Sequence, residues 1–311
     1  IAMKFSKILI CGGSGMVGRN LIDSAPERIN LLAPSSTEMD LLDFENTQKY
    51  IASHQPDLIL HAAGRVGGIQ ANMAQPVEFL VENMVIGKNI IEAARLNGVR
   101  YLLNFGSSCM YPRNVESALS EDMVLSGELE PTNEGYAIAK IFAQRFCAYI
   151  NKEYSGYHYK TVIPCNLYGK YDKFDPAHSH MIPAVIKKIH EAKENGEQVV
   201  LWGDGTARRE FMYAEDLSQM VWKYLDDFEH QPELMNLGLG SDYSILEYYQ
   251  AIANVIGYTG DFAFDLTKPV GMKRKLVDVS LQKEMGLEAK HSLQEGVQKT
   301  YSYFLNLKNQ S

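Results

Sequence analysis

Lys7-Ile8-Leu9-Ile10-Cys11-Gly12-Gly13-Ser14-Gly15-Met16-Val17-Gly18 decides the fold. A short apolar run of strand character leads straight into glycines at 12, 15 and 18, spaced Gly-x-x-Gly-x-x-Gly, and a helical pattern follows. Glycines placed this way let the backbone turn tightly and approach a pyrophosphate at a helix N-terminus, where unbonded N–H groups and the helix dipole favour anions. A glycine triplet alone is weak evidence. Between a first strand and a helix it reads as a dinucleotide-binding turn, which makes Gly12, Gly13, Ser14, Gly15, Met16, Val17 and Gly18 the cofactor-binding candidates.

The strand–helix alternation continues outward from this stretch. Apolar runs at 29–33, Leu58–His61, 100–105 and 160–164 are separated by helical patterns, the longest over 76–97 and 136–154. Such alternation predicts an α/β fold: a Rossmann-type doubly wound parallel sheet with helices on both faces. Past Tyr168 the pattern loosens into loops rich in Gly, Asp and Pro, with a helix near 183–195. The expected organisation is a dinucleotide-binding domain over 1–167 and a smaller, mixed α/β substrate lobe over 168–311, some of whose segments return to the first domain.

Composition narrows the function classes. The chain has 311 residues, 46% of them hydrophobic, which is ample for a buried core. Its formal net charge is −8, from 30 basic against 38 acidic residues, with no basic run, and this argues against nucleic-acid binding. The longest apolar stretches fall far below the roughly 20 residues that span a bilayer. Met3-Lys4-Phe5-Ser6-Lys7 ahead of the first strand is too brief for a signal h-region and offers no cleavage site. Cys11, Cys109, Cys147 and Cys165 show neither CxxC pairing nor zinc spacing, so reduced thiols, no metal and a cytoplasmic location are expected.

A second stretch carries the chemistry. Gly106-Ser107-Ser108-Cys109-Met110-Tyr111 follows a strand-like run, and Tyr136 and Lys140 come later, one helical turn apart on a shared face. Serine, phenol and ammonium together make a proton-transfer device for a carbonyl or carbinol. A free tyrosine, with a pKa of about 10, is a poor general base. An ammonium at about 4 Å in an effective dielectric of about 20 contributes roughly 4 kcal/mol, or about three pKa units before desolvation subtracts. Lys140 is therefore expected to bring Tyr136 close to working pH while Ser107 hydrogen-bonds the substrate oxygen. Cys109 adds a soft, titratable group beside them.

With these residues in place, the glycine loop, Ser107, Tyr136-Ala137-Ile138-Ala139-Lys140 and Asn166-Leu167-Tyr168-Gly169 make the chain similar to the extended short-chain dehydrogenase/reductase family. Gly203-Asp204-Gly205, Arg209, Phe211 and Asp216 resemble its sugar-nucleotide branch. Within that branch, Val66-Gly67-Gly68-Ile69, the segment from Ser107 to Pro112, Glu130-Pro131-Thr132-Asn133-Glu134 and Ser179-His180-Met181-Ile182-Pro183 resemble the GDP-L-fucose synthases, which are GDP-4-keto-6-deoxy-mannose 3,5-epimerase-4-reductases. The related 4,6-dehydratases carry an acidic pair directly after the triad Ser/Thr. Ser108 and Cys109 stand there in this chain, so dehydration is not expected.

The resemblance implies an NADP(H)-dependent enzyme. Cys109 would be the base and His180 the acid that invert C3 and C5 of a GDP-4-keto-6-deoxy sugar, with His178 a bystander. Tyr136 would donate the proton at C4, assisted by Lys140 and Ser107. Further cofactor contacts fall on Ser35, Ser36, Asp40, Leu41, Ala62, Ala63, Lys140, Pro164, Asn166 and His180. Substrate contacts fall on Ser108, Asn166, Lys188, Trp202, Arg209, Lys275 and Asp278; Asp204 and Asp216 are expected to brace loops. An alternative keeps this machinery on a GDP-4-keto-6-deoxy-heptose, with partial or no epimerisation. The helices over 76–97 and 136–154 imply a four-helix homodimer interface. Bacterial relatives can carry arginine where a 2′-phosphate would lie, and this chain has Ser14, Pro34, Ser35 and Ser36. Serines also hydrogen-bond phosphate, and no acidic residue immediately ends the second strand to demand a free 2′-hydroxyl, so NADP(H) is expected over NAD(H).

Overall fold

The computed structural model describes residues 4–311; Ile1, Ala2 and Met3, the last of which opens the amino-terminal stretch read above, lie outside the described residues. In chain order, β1 (Lys7–Cys11), α1 (Met16–Asp23), β2 (Asn30–Leu32), α2 (Phe44–His54), β3 (Leu58–His61), α3 (Ile69–Ala74), α4 (Pro76–Leu96), β4 (Tyr101–Phe105), α5 (Glu134–Glu153) and β5 (His158–Pro164) make the first half. The second half holds β6 (Asn166–Tyr168), α6 (Met181–Asn195), β7 (Val199–Trp202), β8 (Arg208–Arg209), β9 (Phe211–Tyr213), α7 (Ala214–Leu225), β10 (Leu234–Leu237), β11 (Tyr243–Ser244), α8 (Ile245–Ile256), β12 (Phe262–Asp265), α9 (Ser280–Glu284) and α10 (Leu293–Asn309).

The main sheet has six parallel strands in the order β10-β5-β4-β3-β1-β2. Its strands read as unbroken apolar runs because helices cover both faces and no side of the sheet meets water. Side chains alternate between those faces. Ile8, Ile10, Leu58, Leu60 and Leu103 pack with Leu21, Leu217 and Val221 of α1 and α7. Leu9, Cys11, Ile59 and Leu102 pack instead with Ile90, Ala94, Ala143 and Cys147 of α4 and α5. A separate core built on Ile182, Ile186, Leu201, Phe211, Tyr248, Ile252 and Val297 holds the second half together. There α8 and α10 each start on a reciprocal cap, Ser244 with Glu247 and Ser292 with Glu295, which satisfies otherwise orphaned amides. Several elements of the second half, chiefly α7 and β10, join the first core, with Met212 of β9 and Leu281 of α9.

Strand order reverses between β1 and β3, and a crevice opens at the carboxyl ends of parallel strands at such a point. The glycine turn lies there. Gly12 has φ +84°, and a Cβ on it would fall 2.6 Å from the Ala62 carbonyl oxygen. A Cβ on Gly18 would fall 2.1 Å from the Gly12 oxygen and 2.7 Å from Gly13 Cα. Both glycines are therefore required by close backbone approach, and α1 can dock on the turn only because Gly18 has no side chain. Gly18→Ala is expected to cost about 1–3 kcal/mol through forced displacement and to lower the thermal midpoint measured by circular dichroism. An unchanged midpoint would contradict the packing described.

Candidate active site

The turn suits a dinucleotide phosphate. Gly15 caps α1 without any side-chain hydrogen bond, so the amides of the first turn remain free for an anion. Its own N–H donates to the Gly12 oxygen at 3.1 Å, which closes the turn. Small residues at the end of β3 leave the backbone open beside it. A Cβ on Gly64 would meet Asn83 Oδ1 at 2.8 Å and Lys140 Nζ at 3.5 Å.

A cavity of about 400 Å³ extends from this crevice, and Ser107, Cys109, Tyr136, Lys140 and His180 all line it. Met16, Val17, Ala62, Ser108, Pro164, Asn166 and Lys275 complete the expected residues found there. Ser107 leaves β4 in an extended conformation, and the short 3-10 turn Ser108–Met110 then carries Cys109 inward. Cys109 is only 6% exposed and Lys140 8%. Helix α5 presents Tyr136 and Lys140 from adjacent turns, with Nζ 5.4 Å from the centre of the phenol ring.

Burial dominates the electrostatics. It pushes the Cys109 thiol up, against a hydrogen bond from Ser107 and the charges of Lys275 and Lys140, which pull it down. It also raises the Tyr136 phenol, and the neighbouring Cys109 adds to that rise. It lowers Lys140, an effect that Cys109 opposes. His180, at the mouth, is lowered by partial loss of water and is neutral near pH 7. The expectation that Lys140 brings Tyr136 toward neutrality is therefore not met: loss of water raises the phenol, and the neighbouring thiol adds to the rise. A phenol that keeps its proton is suited to give one away, which is the role that reduction of a carbonyl requires.

Several expected contacts lie outside the cavity. Gly12, Gly13, Ser14, Gly15 and Gly18 form the turn beside it, and Ala63 packs against the core behind β3. Ser35, Ser36, Asp40 and Leu41 follow β2 further along the crevice. Ser35 already donates its N–H and its hydroxyl to Glu38 Oε1, both at 3.1 Å, and these bonds hold the Glu38 carboxyl below its usual range. Adjacency to the strand end does not reveal Glu38, because the chain turns back to bring it there.

On the substrate side, Arg209 donates to the Met272 and Val270 carbonyls at 2.6 and 3.3 Å, while Lys188 donates to Val200 O. Trp202 is 58% exposed. The Asp278 carboxylate accepts the Ser280 N–H at 2.8 Å and so braces the start of α9. Asp204 accepts from Thr206 and Asp216 from His291, both loop ties. His178 pairs with Asp175 at 3.0 Å. Among the described residues, no group of three or more His, Cys, Asp or Glu could hold a metal ion. The cavity also recruits Gly64, Val66, Ile69, Asn72 and Asn133. Val66, Ile69 and Asn133 lie in the Val66-Gly67-Gly68-Ile69 and Pro131-Thr132-Asn133 stretches, but nothing in the spacing pointed them inward; Gly64 and Asn72 lie in neither.

With its pKa raised, Tyr136 stays protonated at every pH below its midpoint. An ultraviolet difference titration of the protein against its Tyr136→Phe variant is expected to place that midpoint above the free value of about 10. A midpoint near 7 would restore the lysine-driven picture.

Over residues 8–238 the sequence matches the NAD dependent epimerase/dehydratase family. It is 55% identical to the GDP-L-colitose synthase of Yersinia pseudotuberculosis, across 97% of this chain and 99% of that one. It is 47% identical to a GDP-L-fucose synthase of Azorhizobium caulinodans, across 97% of each. A solved GDP-D-glycero-L-gluco-heptose synthase from Campylobacter jejuni, determined in the presence of NADPH, superposes with a TM-score of 0.89 at 29% identity, covering 98% of this chain and 100% of that one. By its glycine turn, its Ser107–Tyr136–Lys140 cavity and this match, the chain belongs to the NAD dependent epimerase/dehydratase family.

Proposed function

We propose that the protein is an NADPH-dependent 3,5-epimerase and 4-reductase of a GDP-4-keto-6-deoxy sugar, making GDP-L-fucose from GDP-4-keto-6-deoxy-mannose. One observation carries this reading: a thiol, an imidazole, a phenol, an ammonium and a serine hydroxyl line one cavity at the mouth of a dinucleotide crevice. Reduction alone needs only the serine, tyrosine and lysine. The thiol and imidazole supply a second acid/base pair, and a 4-ketone gives them work by acidifying the hydrogens at C3 and C5.

Cys109 removes a proton from the carbon next to the ketone. The C–H electron pair moves toward the ketone oxygen, and His180 returns a proton to the carbon from the other face. The N–H of His180 supplies that proton, and His180, exposed at the mouth, takes one back from solvent. Ser107 and Tyr136 hold the oxygen throughout, and Tyr136 gives it a proton when C4 is reduced. Bound NADPH would supply the hydride at C4. The amides at the start of α1 would hold its pyrophosphate, and Lys140 would lie near its ribose.

The relatives in hand favour a hexose over a heptose, since the heptose synthase is 29% identical against 47% and 55% for the fucose and colitose synthases. The 55% figure also supports a second reading, in which the substrate lacks the 3-hydroxyl and only C5 is inverted. Exposed apolar residues Val77 (70%) and Val81 on α4, with Ile138 and Tyr149 on α5, support burial of this face against a second copy as a homodimer. Four buried free thiols suit a cytoplasmic enzyme.

Product analysis by NMR after incubation with GDP-4-keto-6-deoxy-mannose and NADPH in deuterated water tests the assignment. Label at C3 and C5 with reduction at C4 is expected, and reduction without label would remove the epimerase. Tyr136→Phe is expected to slow NADPH oxidation by about 10²–10⁴-fold while NADPH affinity stays within about twofold. Cys109→Ser should abolish label uptake and leave the cofactor site intact. Because Glu38 occupies the Ser35 donors that a 2′-phosphate would use, Glu38→Ala is expected to tighten NADPH a few-fold and leave NADH unchanged, measured by fluorescence titration.

A further inference from the structure

The segment before α9 is pinned on both sides of Lys275. Arg274 Nε donates to Asp242 Oδ2 at 2.7 Å. The Leu276 carbonyl accepts from Leu119 N at 2.8 Å, and Val277 N donates to the buried Glu210 at 3.1 Å. Alternation along this extended stretch sends Arg274 one way and Lys275 the other, into the catalytic cavity. Among the described residues the Lys275 ammonium has no ion pair or hydrogen bond. An unpaired cation that is partly withdrawn from water is costly, and the pinned backbone holds its side chain at the cavity.

We propose that Lys275 is a positioning residue for Cys109: its ammonium stabilises the thiolate that serves as the epimerisation base, in addition to any contact with the substrate diphosphate. This rests on the proposed role of Cys109. In the ionisation the S–H bond breaks, the electron pair stays on sulfur and the proton passes to solvent, while Lys275 remains protonated. The cavity has no carboxylate among its lining residues to compete for the ammonium. The charged or titratable groups facing Cys109 are Tyr136 and Lys140 from α5, His180 from the start of α6, and Lys275; those acting on Lys275 are Cys109, Arg209 and Glu130. Of the two ammonium groups acting on the thiol, Lys275 has the larger effect. Lys140 belongs to the reduction chemistry, so the two lysines divide between the two half-reactions.

The test is a thiolate titration near 240 nm on the full-length protein, each form read as the difference from its Cys109→Ser counterpart so that the other thiols cancel. Lys275→Met is expected to raise the Cys109 midpoint by about one pH unit or more, a roughly tenfold loss of thiolate at fixed pH. Lys275→Arg is expected to restore it. Coincident wild-type and Lys275→Met curves overturn the proposal, as does a Lys275→Arg curve that follows Lys275→Met. NADPH binding by each variant confirms folding. No sugar is present, so a shifted midpoint stands even if the substrate assignment fails, and an unshifted one leaves that assignment untouched.

Discussion

Two ammonium groups, Lys140 and Lys275, share a water-poor cavity with a thiol and a phenol, and no carboxylate lines it. The site therefore lacks a resident anion. Each group resists ionisation in the direction that burial dictates: acids rise and amines fall. The arrangement favours charge that appears only during reaction, on sulfur or on a ketone oxygen, where fixed cations and donors await it. Electrostatic stabilisation of this kind costs no reorganisation at the moment of need.

The scaffold supplies this environment by geometry. Parallel strands end together, so β1, β3, β4 and β5 deliver the glycine turn, Ala62, Ser107 and Pro164 to one edge. Helix α5, from the same half of the fold, brings Tyr136 and Lys140 to that edge, docked on α4 through small residues such as Gly87 against Ala143. The second half closes the cavity with two short pieces, His180 ahead of α6 and Lys275 ahead of α9. Neither is part of a long regular element, and both depend on neighbouring hydrogen bonds for their placement.

This division explains why carbonyl reduction and epimerisation can coexist in one pocket. The serine, tyrosine and lysine come from the dinucleotide-binding half, and in the proposed mechanism they serve the oxygen. Cys109 is two residues beyond Ser107, on a tight turn, and in the proposed mechanism it serves the adjacent carbons rather than the oxygen itself. His180 arrives from the opposite lobe, which suits a proton returned to the other face. Inversion needs opposed groups, and opposed lobes provide them.

The doubly wound sheet was legible in the chain because its cues are local. An apolar strand, a glycine turn and a helix constrain one another within a dozen residues, and buried parallel strands announce themselves as unbroken apolar runs. The residues that meet in the cavity were legible through the motif spacing of Ser107, Tyr136 and Lys140 and through family resemblance for Cys109 and His180. Tertiary structure alone decided the sign of the electrostatics, because desolvation depends on what every other segment covers. It also decided that Glu38 turns back onto Ser35, that Asp278 braces a helix, and that Asn72 and Asn133 join the cavity. Above all it set Lys275 beside Cys109, a meeting of positions 166 residues apart that no spacing rule encodes, since side chains meet across lobes only after both cores have packed.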